Sequence, residues 1–506
     1  MSTVYTVIAV LPILLTLICL TGLRMSSVKT AGLAYVVAVV IAEIPWKFQT
    51  SVKWIMLASV KGLLIALIVI YVLVFGLFLY NILREGRAID AFSNLFARYV
   101  QSPVQQALLV SAALGPFLEA TTGFGIGIVI AAPLYLAMRF QPQKVAILSL
   151  LTQSAVPWGA LAVGTVLNSE LSGVPLRALG VGSAIVTIPL YLLYTIVAVC
   201  VAGGWGAVWR NVPIILLVWA FLCVFTWAAN DYVSPQLAGV LSGFVTAVLL
   251  LIYFRFTSPK INQPIQKMAV SDEEEKAVLP FWKSVFPYSI LIVFSLAANL
   301  WPILYRWLHT VLVWRVPSLQ FQLELLYSPG FTLLLASIAG IVMYRLSWTQ
   351  VCDCAIRTIK QVYPAALSTV GFVAMSTVMQ QAGMTDFFSH HLAQWVGKGF
   401  LFVSPVIGGL GGFITGSNSA SNAMFAPFQN AMAHQLHHSP LLYAIVQNVA
   451  ASNLTMESPS RIALAASIAN LPGKEGDLTR RMIPLGCLVI VIIAIYSTIM
   501  ETLVWS

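Results

Sequence analysis

Residues 60–80, VKGLLIALIVIYVLVFGLFLY, carry a single charge in a run long enough to cross a bilayer as a helix. A hydrocarbon layer of about 30 Å takes about 20 apolar residues in helical form. Comparable runs recur at 3–22, 30–46, 144–165, 178–203, 212–229, 236–256, 285–307, 329–344, 361–381, 441–470 and 482–504, so twelve crossings are expected. Only 9% of the 506 residues are charged and mean hydropathy is +0.90. A soluble domain carries about 25% charged residues, so this chain cannot cover its apolar surface in water and lipid must be its solvent. The 11% aromatic share suits helix ends anchored at the interface by Trp and Tyr.

The net charge of +10 does not point to nucleic acid, because the basic residues are spread thinly through short loops. They report topology instead. With the N-terminus outside, the loops assigned to the cytoplasm hold 19 of the 27 Lys and Arg residues, the opposite loops hold 7, and Arg461 falls within a span. That asymmetry matches the positive-inside rule and places the chain in a cell membrane as a multi-pass protein. The six cysteines form neither a disulfide framework nor a zinc spacing, and Cys352-x-Cys354 falls in a loop on the reducing side. The segment 3–22 lacks a basic n-region and a clear cleavage site, so it reads as a retained helix.

Two further apolar segments, 104–138 and 400–432, are dense in Gly, Pro, Ser, Thr and Asn. Each is expected to form a re-entrant hairpin. The polar stretch 257–284 reads as a cytoplasmic linker; its acidic run is Asp272, Glu273, Glu274 and Glu275. The chain then divides into a first repeat at 1–211 with hairpin 104–138, connecting helices at 212–256, the linker, and a second repeat at 285–506 with hairpin 400–432. The halves start from opposite sides, the pattern of an inverted repeat common in secondary transporters. The expected fold is therefore an all-α polytopic membrane protein, with about twelve transmembrane helices plus two re-entrant hairpins in an inverted repeat.

Broken helices at membrane depth survive only where protein buries them or water reaches them. Their N-terminal ends expose N–H groups that suit a carboxylate. The first hairpin supplies Glu119, Thr121, Thr122 and Gly123, and the second supplies Ser417, Asn418, Ser421 and Asn422. A substrate site built from the two is expected. Glu119 is a costly acid at membrane depth, read either as a proton-coupling site or as a structural acid bonded to Thr121 or Thr122. Glu457 and Arg461, four apart around Ser458 and Pro459, would share one helical face. Arg461, with Ser458, could clasp a substrate carboxylate, or it could pair with Glu457. The His434, His437, His438 group and the Asp386, His390, His391 group read as exposed loops, and no metal site is expected. No glycine-rich nucleotide motif occurs, so ATP-driven transport has no support. No nucleophile–base set marks an enzyme, and no cofactor is implied.

The hairpin motifs resemble those of the lactate permease family. That family's first hairpin reads close to F-L-E-G-A-A-G-F-G, against FLEATTGFG at 117–125 here. Its second is close to S-G-S-D-T-S-S-N-A-L-F, against TGSNSASNAMF at 415–425. ESPSRIALA (457–465) and GKEGDLTRR (473–481) resemble two later family segments, so the likeness spans both halves in order. The resemblance implies symport of protons with lactate, glycolate or related 2-hydroxymonocarboxylates, in a fold whose two hairpins meet at the substrate, with a homodimer and an elevator-like shift. Three departures change the site's charge. Asn418 stands where the family has Asp, Thr121 and Thr122 replace two alanines, and Glu457 and Arg461 occupy uncharged positions. They leave open a larger or doubly charged organic anion, and a sodium-coupled or exchange carrier. An anion channel is the alternative of another class.

Overall fold

The computed structural model describes residues 2–23, 25–45, 47–88, 102–123, 125–257, 280–319 and 321–502. Most of the linker, with its acidic run, and Phe124 of the first hairpin motif lie outside the described residues. The described chain is almost wholly helical, as lipid demands, because a helix satisfies its own backbone hydrogen bonds. Among the described residues, eight helices are long and apolar enough to cross a membrane, or nine if one bent pair counts as a single span. The difference from the expected twelve lies in short or interrupted helices. Ser27–Glu43 has 17 residues, Pro329–Tyr344 and Phe400–Thr415 have 16 each, and Pro440–Leu454 stops well short of a full span.

The order of elements repeats. Apart from the short helices Pro302–Thr310 and Met384–Val396, which the first half lacks among the described residues, each half runs through two helices, a third of 34 residues, a helix–break–helix hairpin, a span interrupted by 3-10 turns and a long closing helix. The two 34-residue helices, Val52–Glu85 and Trp348–Gln381, pack along each other. Gly62 allows their close approach, since a Cβ there would lie 2.7 Å from Ala374 Cα. Near one end Asn81 donates to Thr358 and Gln361, both at 3.0 Å, and Arg357 pairs with Glu85 at 3.1 Å.

The interrupted spans echo each other in sequence. SLLTQSAVPWGALAV at 149–163 aligns without gaps to SNLTMESPSRIALAA at 452–466. In both, the Thr hydroxyl donates three residues back at 2.6 Å, from Thr152 to Ser149 O and from Thr455 to Ser452 O. This alignment sets Trp158 opposite Arg461 and Ser154 opposite Glu457. After the first break, helix Gly159–Ser172 begins with Leu161 and Ala162 at φ of 54° and 60°. Left-handed backbone costs a side-chain-bearing residue roughly 1–2 kcal/mol, so this junction is strained.

Several expectations are corrected. Asp386, His390 and His391 lie on a helix, Met384–Val396, and not in a loop; the preceding Gly383 at φ 71° supplies its sharp entry. His434 lies in the last turn of helix Asn418–Leu436, and His438 pairs with Glu501 at 3.1 Å. Among the described residues, no group of three metal-ligating side chains converges. An antiparallel strand pair, Val313–Val316 with Phe321–Glu324, occupies the segment between the expected crossings 285–307 and 329–344.

Candidate functional site

The first hairpin descends through helix Gly115–Thr122 and breaks at Gly123, φ 66°, and Gly125, φ 84°. Only glycine adopts such angles freely. Gly123 closes the descending helix by donating to Glu119 O at 2.8 Å. The return helix, Ile126–Ala137, then needs acceptors for its first N–H groups. Glu119, 2% exposed, supplies them: Oε1 accepts from Gly125 N–H and Oε2 from Gly127 N–H, both at 3.1 Å. The bond between Glu119 and Thr121 or Thr122 that the structural alternative required is absent among the described residues. Both hydroxyls turn instead to the helix's own carbonyls: Thr121 to Leu118 O at 2.9 Å and Thr122 to Leu118 O at 2.5 Å. A threonine in a helix reaches its own preceding turn more easily than a carboxylate that points forward.

The second hairpin breaks at Gly416, φ 63°, between Phe400–Thr415 and Asn418–Leu436. Here no acid is in place. Ser417 caps the return helix by accepting from Ala420 N–H at 3.3 Å, and the N–H groups of Asn418 and Ser419 have no protein acceptor among the described residues.

Arg461 joins the two tips. Helix Pro459–Ile468 starts at Ser458, whose hydroxyl accepts from Arg461 N–H at 3.3 Å. The guanidinium extends between the hairpins. A Cβ on Gly125 would run into Nη1, and Nη2 donates to Gly416 O at 3.4 Å. Nε is buried and, among the described residues, without a partner. A guanidinium has five N–H donors, and among the described residues this one has one long side-chain bond.

The expected pair between Glu457 and Arg461 does not form. Glu457 ends the 3-10 turn Thr455–Glu457, and Ser458 is extended at ψ 146°, so spacing by four no longer means one face. Glu457, 3% exposed, lies instead against Gly486 of the closing helix, where a Cβ would overlap its carboxylate.

Asn418, Ser421 and Asn422 join a buried carboxamide network that sequence reasoning did not anticipate. Asn418 Nδ2 donates to Asn448 Oδ1 at 3.1 Å, and Asn422 Nδ2 donates to Gly164 O at 2.9 Å and to Asn418 Oδ1 at 3.1 Å. Gln447 donates to Ser421 Oγ at 3.2 Å, Asn448 to Thr165 Oγ1 at 3.0 Å, and Asn168 to Ala444 O at 2.9 Å. The second hairpin is thus tied to the interrupted spans of both halves. The available signal was chemical: amides at 168, 447 and 448 stand in otherwise apolar runs, and polar groups at membrane depth are costly unless used.

The sequence profile described as L-lactate permease matches residues 5–315 and 308–504. The L-lactate permease of Salmonella typhimurium is 25% identical, over 94% of this chain and 91% of its own. That of Escherichia coli is 24% identical, over 97% and 95%, and the Escherichia coli glycolate permease GlcA is 23% identical, over 94% and 91%. Among solved structures, the YdaH transporter of Alcanivorax borkumensis aligns with a TM-score of 0.48 at 16% identity, over 86% of this chain and 85% of its own. The chain belongs to the L-lactate permease family and is a multi-pass membrane transporter, not an enzyme.

Proposed function

We propose that the protein is a symporter that carries lactate or a related 2-hydroxymonocarboxylate with protons across the cell membrane. The observation that carries the substrate site is Arg461: a guanidinium between two hairpin tips, with Nε buried and, among the described residues, unpaired. Its fork fits a carboxylate through two parallel bonds. The unfilled N–H groups at Asn418 and Ser419 sit one turn from Gly416, the residue Arg461 touches, and give the same anion a helix N-terminus. Thr121, Thr122, Gly123, Ser417, Ser421, Asn422 and Ser458 complete the site as residues that shape or support the two tips.

Glu119 is the proposed proton site. Ionised, it accepts from two backbone N–H groups. A proton would turn one acceptor into a donor, leave one N–H unfilled and loosen the first tip, which links proton binding to tip geometry. The N-terminus is placed outside, residues 1–211 and 285–506 are inverted repeats joined by 212–256 and the linker 257–284, and a homodimer rests on the family resemblance. Because the charges at Glu457 and Arg461 depart from the family motif, the second reading is a carrier of a larger or doubly charged organic anion, driven by sodium or by exchange. Proteoliposomes offered L-lactate, glycolate and dicarboxylates under imposed proton or sodium gradients separate these. Uphill L-lactate uptake driven by a proton gradient alone is expected. Uptake that needs sodium, or that prefers a dicarboxylate, would overturn the first reading.

A further inference from the structure

A cavity of about 280 Å³ lies between the two halves, and no residue of the hairpin tips lines it. Val69 and Val72 of helix Val52–Glu85 form one wall, and Tyr327, just after the strand pair, forms part of the rim. The remaining wall is helix Gly159–Ser172, through Val163, Val166 and Glu170. Those positions are spaced by three and four, so they share one helical face. Thr165, Asn168 and Ser172 follow the same spacing on the opposite face. That second face carries the carboxamide bonds: Thr165 accepts from Asn448 at 3.0 Å, Asn168 donates to Ala444 O at 2.9 Å, and Ser172 donates to Asn168 at 2.8 Å. A single helix therefore separates the cavity from the network that holds the second hairpin.

We infer that this cavity is the outer access vestibule for a small organic acid with an apolar body, and that helix Gly159–Ser172 is the wall that moves to admit it. The inference rests on the transport reading and on the N-terminus lying outside. Aliphatic side chains along the walls suit the body of such an acid, while Gln236, Gln322 and Tyr327 offer hydrogen bonds. Two carboxylates, Glu170 and Glu324, the latter paired with His309, and no Lys or Arg line the cavity among the described residues, so it cannot hold an anion and serves as a passage only. The rim is fixed: Glu324 accepts from Gln322 at 2.6 Å and pairs with His309 at 2.5 Å. The wall is not. Its first turn holds Leu161 and Ala162 in the left-handed region, and such strain persists at sites that switch.

Cysteine labelling tests this. In a transport-competent protein with the six native cysteines replaced by serine, Val166→Cys on the cavity face is compared with Leu167→Cys, which is buried and absent from the lining. A charged, membrane-impermeant thiol reagent is added outside intact cells. Val166→Cys should react about ten-fold faster than Leu167→Cys, since thiol reactivity follows access. The modification should block L-lactate uptake, and L-lactate should slow the modification. Ile68→Cys on the facing wall, partly exposed, provides a second reporter if Val166→Cys does not assemble. Equal rates at lining and buried positions, or reaction from the inside alone, would overturn the vestibule. So would modification of either reporter that leaves uptake intact. An Arg461→Ala variant that still takes up L-lactate would instead sink the substrate site and leave the labelling result standing.

Discussion

At the first hairpin tip a side chain of the protein fills the N-terminus of the return helix, with Glu119 reaching six and eight residues ahead to Gly125 and Gly127. At the second tip only the Ser417 hydroxyl does so, and the next N–H groups remain unfilled. Both tips break at glycines with positive φ, so the backbone problem is the same. What differs is the anion. The first tip carries its own, whereas the second leaves room for one that arrives, with Arg461 set between the two. A helix N-terminus carries roughly half a positive charge; in the proposed function, covalently supplied charge closes one tip and substrate closes the other. On this account the asymmetry, which the family's Asp at the position of Asn418 would reduce, sets the charge of this chain's site.

Removing the shared cation should have the largest effect. Arg461→Ala deletes the partner of a desolvated carboxylate, a loss of about 2–5 kcal/mol, so L-lactate uptake should fall by at least about thirty-fold at fixed substrate. Adding Glu457→Ala should not restore it, because the two groups do not pair. Recovery in the double variant, measured as initial uptake rate, would show that they do.

Glu119→Gln comes next. A carboxamide can accept from one N–H but sets an NH2 against the other, at a cost of about 1–3 kcal/mol for the unfilled group. Proton-driven accumulation should be lost, while exchange of internal for external substrate persists. Vesicles that accumulate normally would release Glu119 from its proton role. The reverse manipulation gives the second tip its own anion. Asn418→Asp should compete with substrate for the same positive groups and raise KM about ten-fold, equivalent to about 1.4 kcal/mol; an unchanged KM would mean that the second tip does not receive the carboxylate. The smallest change concerns the junction behind that tip. Ala162→Gly removes one left-handed side chain and should stabilise this conformation by about 1 kcal/mol, seen as a modest rise in melting temperature together with slower uptake.

The long apolar spans were legible because lipid dictates both length and composition, and the two breaks were legible because glycine and polar clusters have no other reason to sit there. The partner of each polar group was not. Glu119 reaches past Thr121 and Thr122 because the chain reverses at Gly123, and a reversal brings later N–H groups nearer than neighbouring hydroxyls. Glu457 and Arg461 part company because Ser458 is extended, which spacing in a presumed helix cannot reveal. The roles of Asn168, Gln447 and Asn448 depend on contacts more than 250 residues apart for Asn168 and Asn448, and 25 or 26 apart for Gln447, which no local pattern encodes.

Equilibrium binding of labelled L-lactate to the purified protein, compared between Arg461→Ala and Glu119→Gln, tests the asymmetry of the tips most directly. The account predicts that Arg461→Ala abolishes measurable binding while Glu119→Gln retains it within a few-fold of the unaltered protein, a difference of at least about 2 kcal/mol between the variants. Retained binding in Arg461→Ala, with loss in Glu119→Gln, would contradict it.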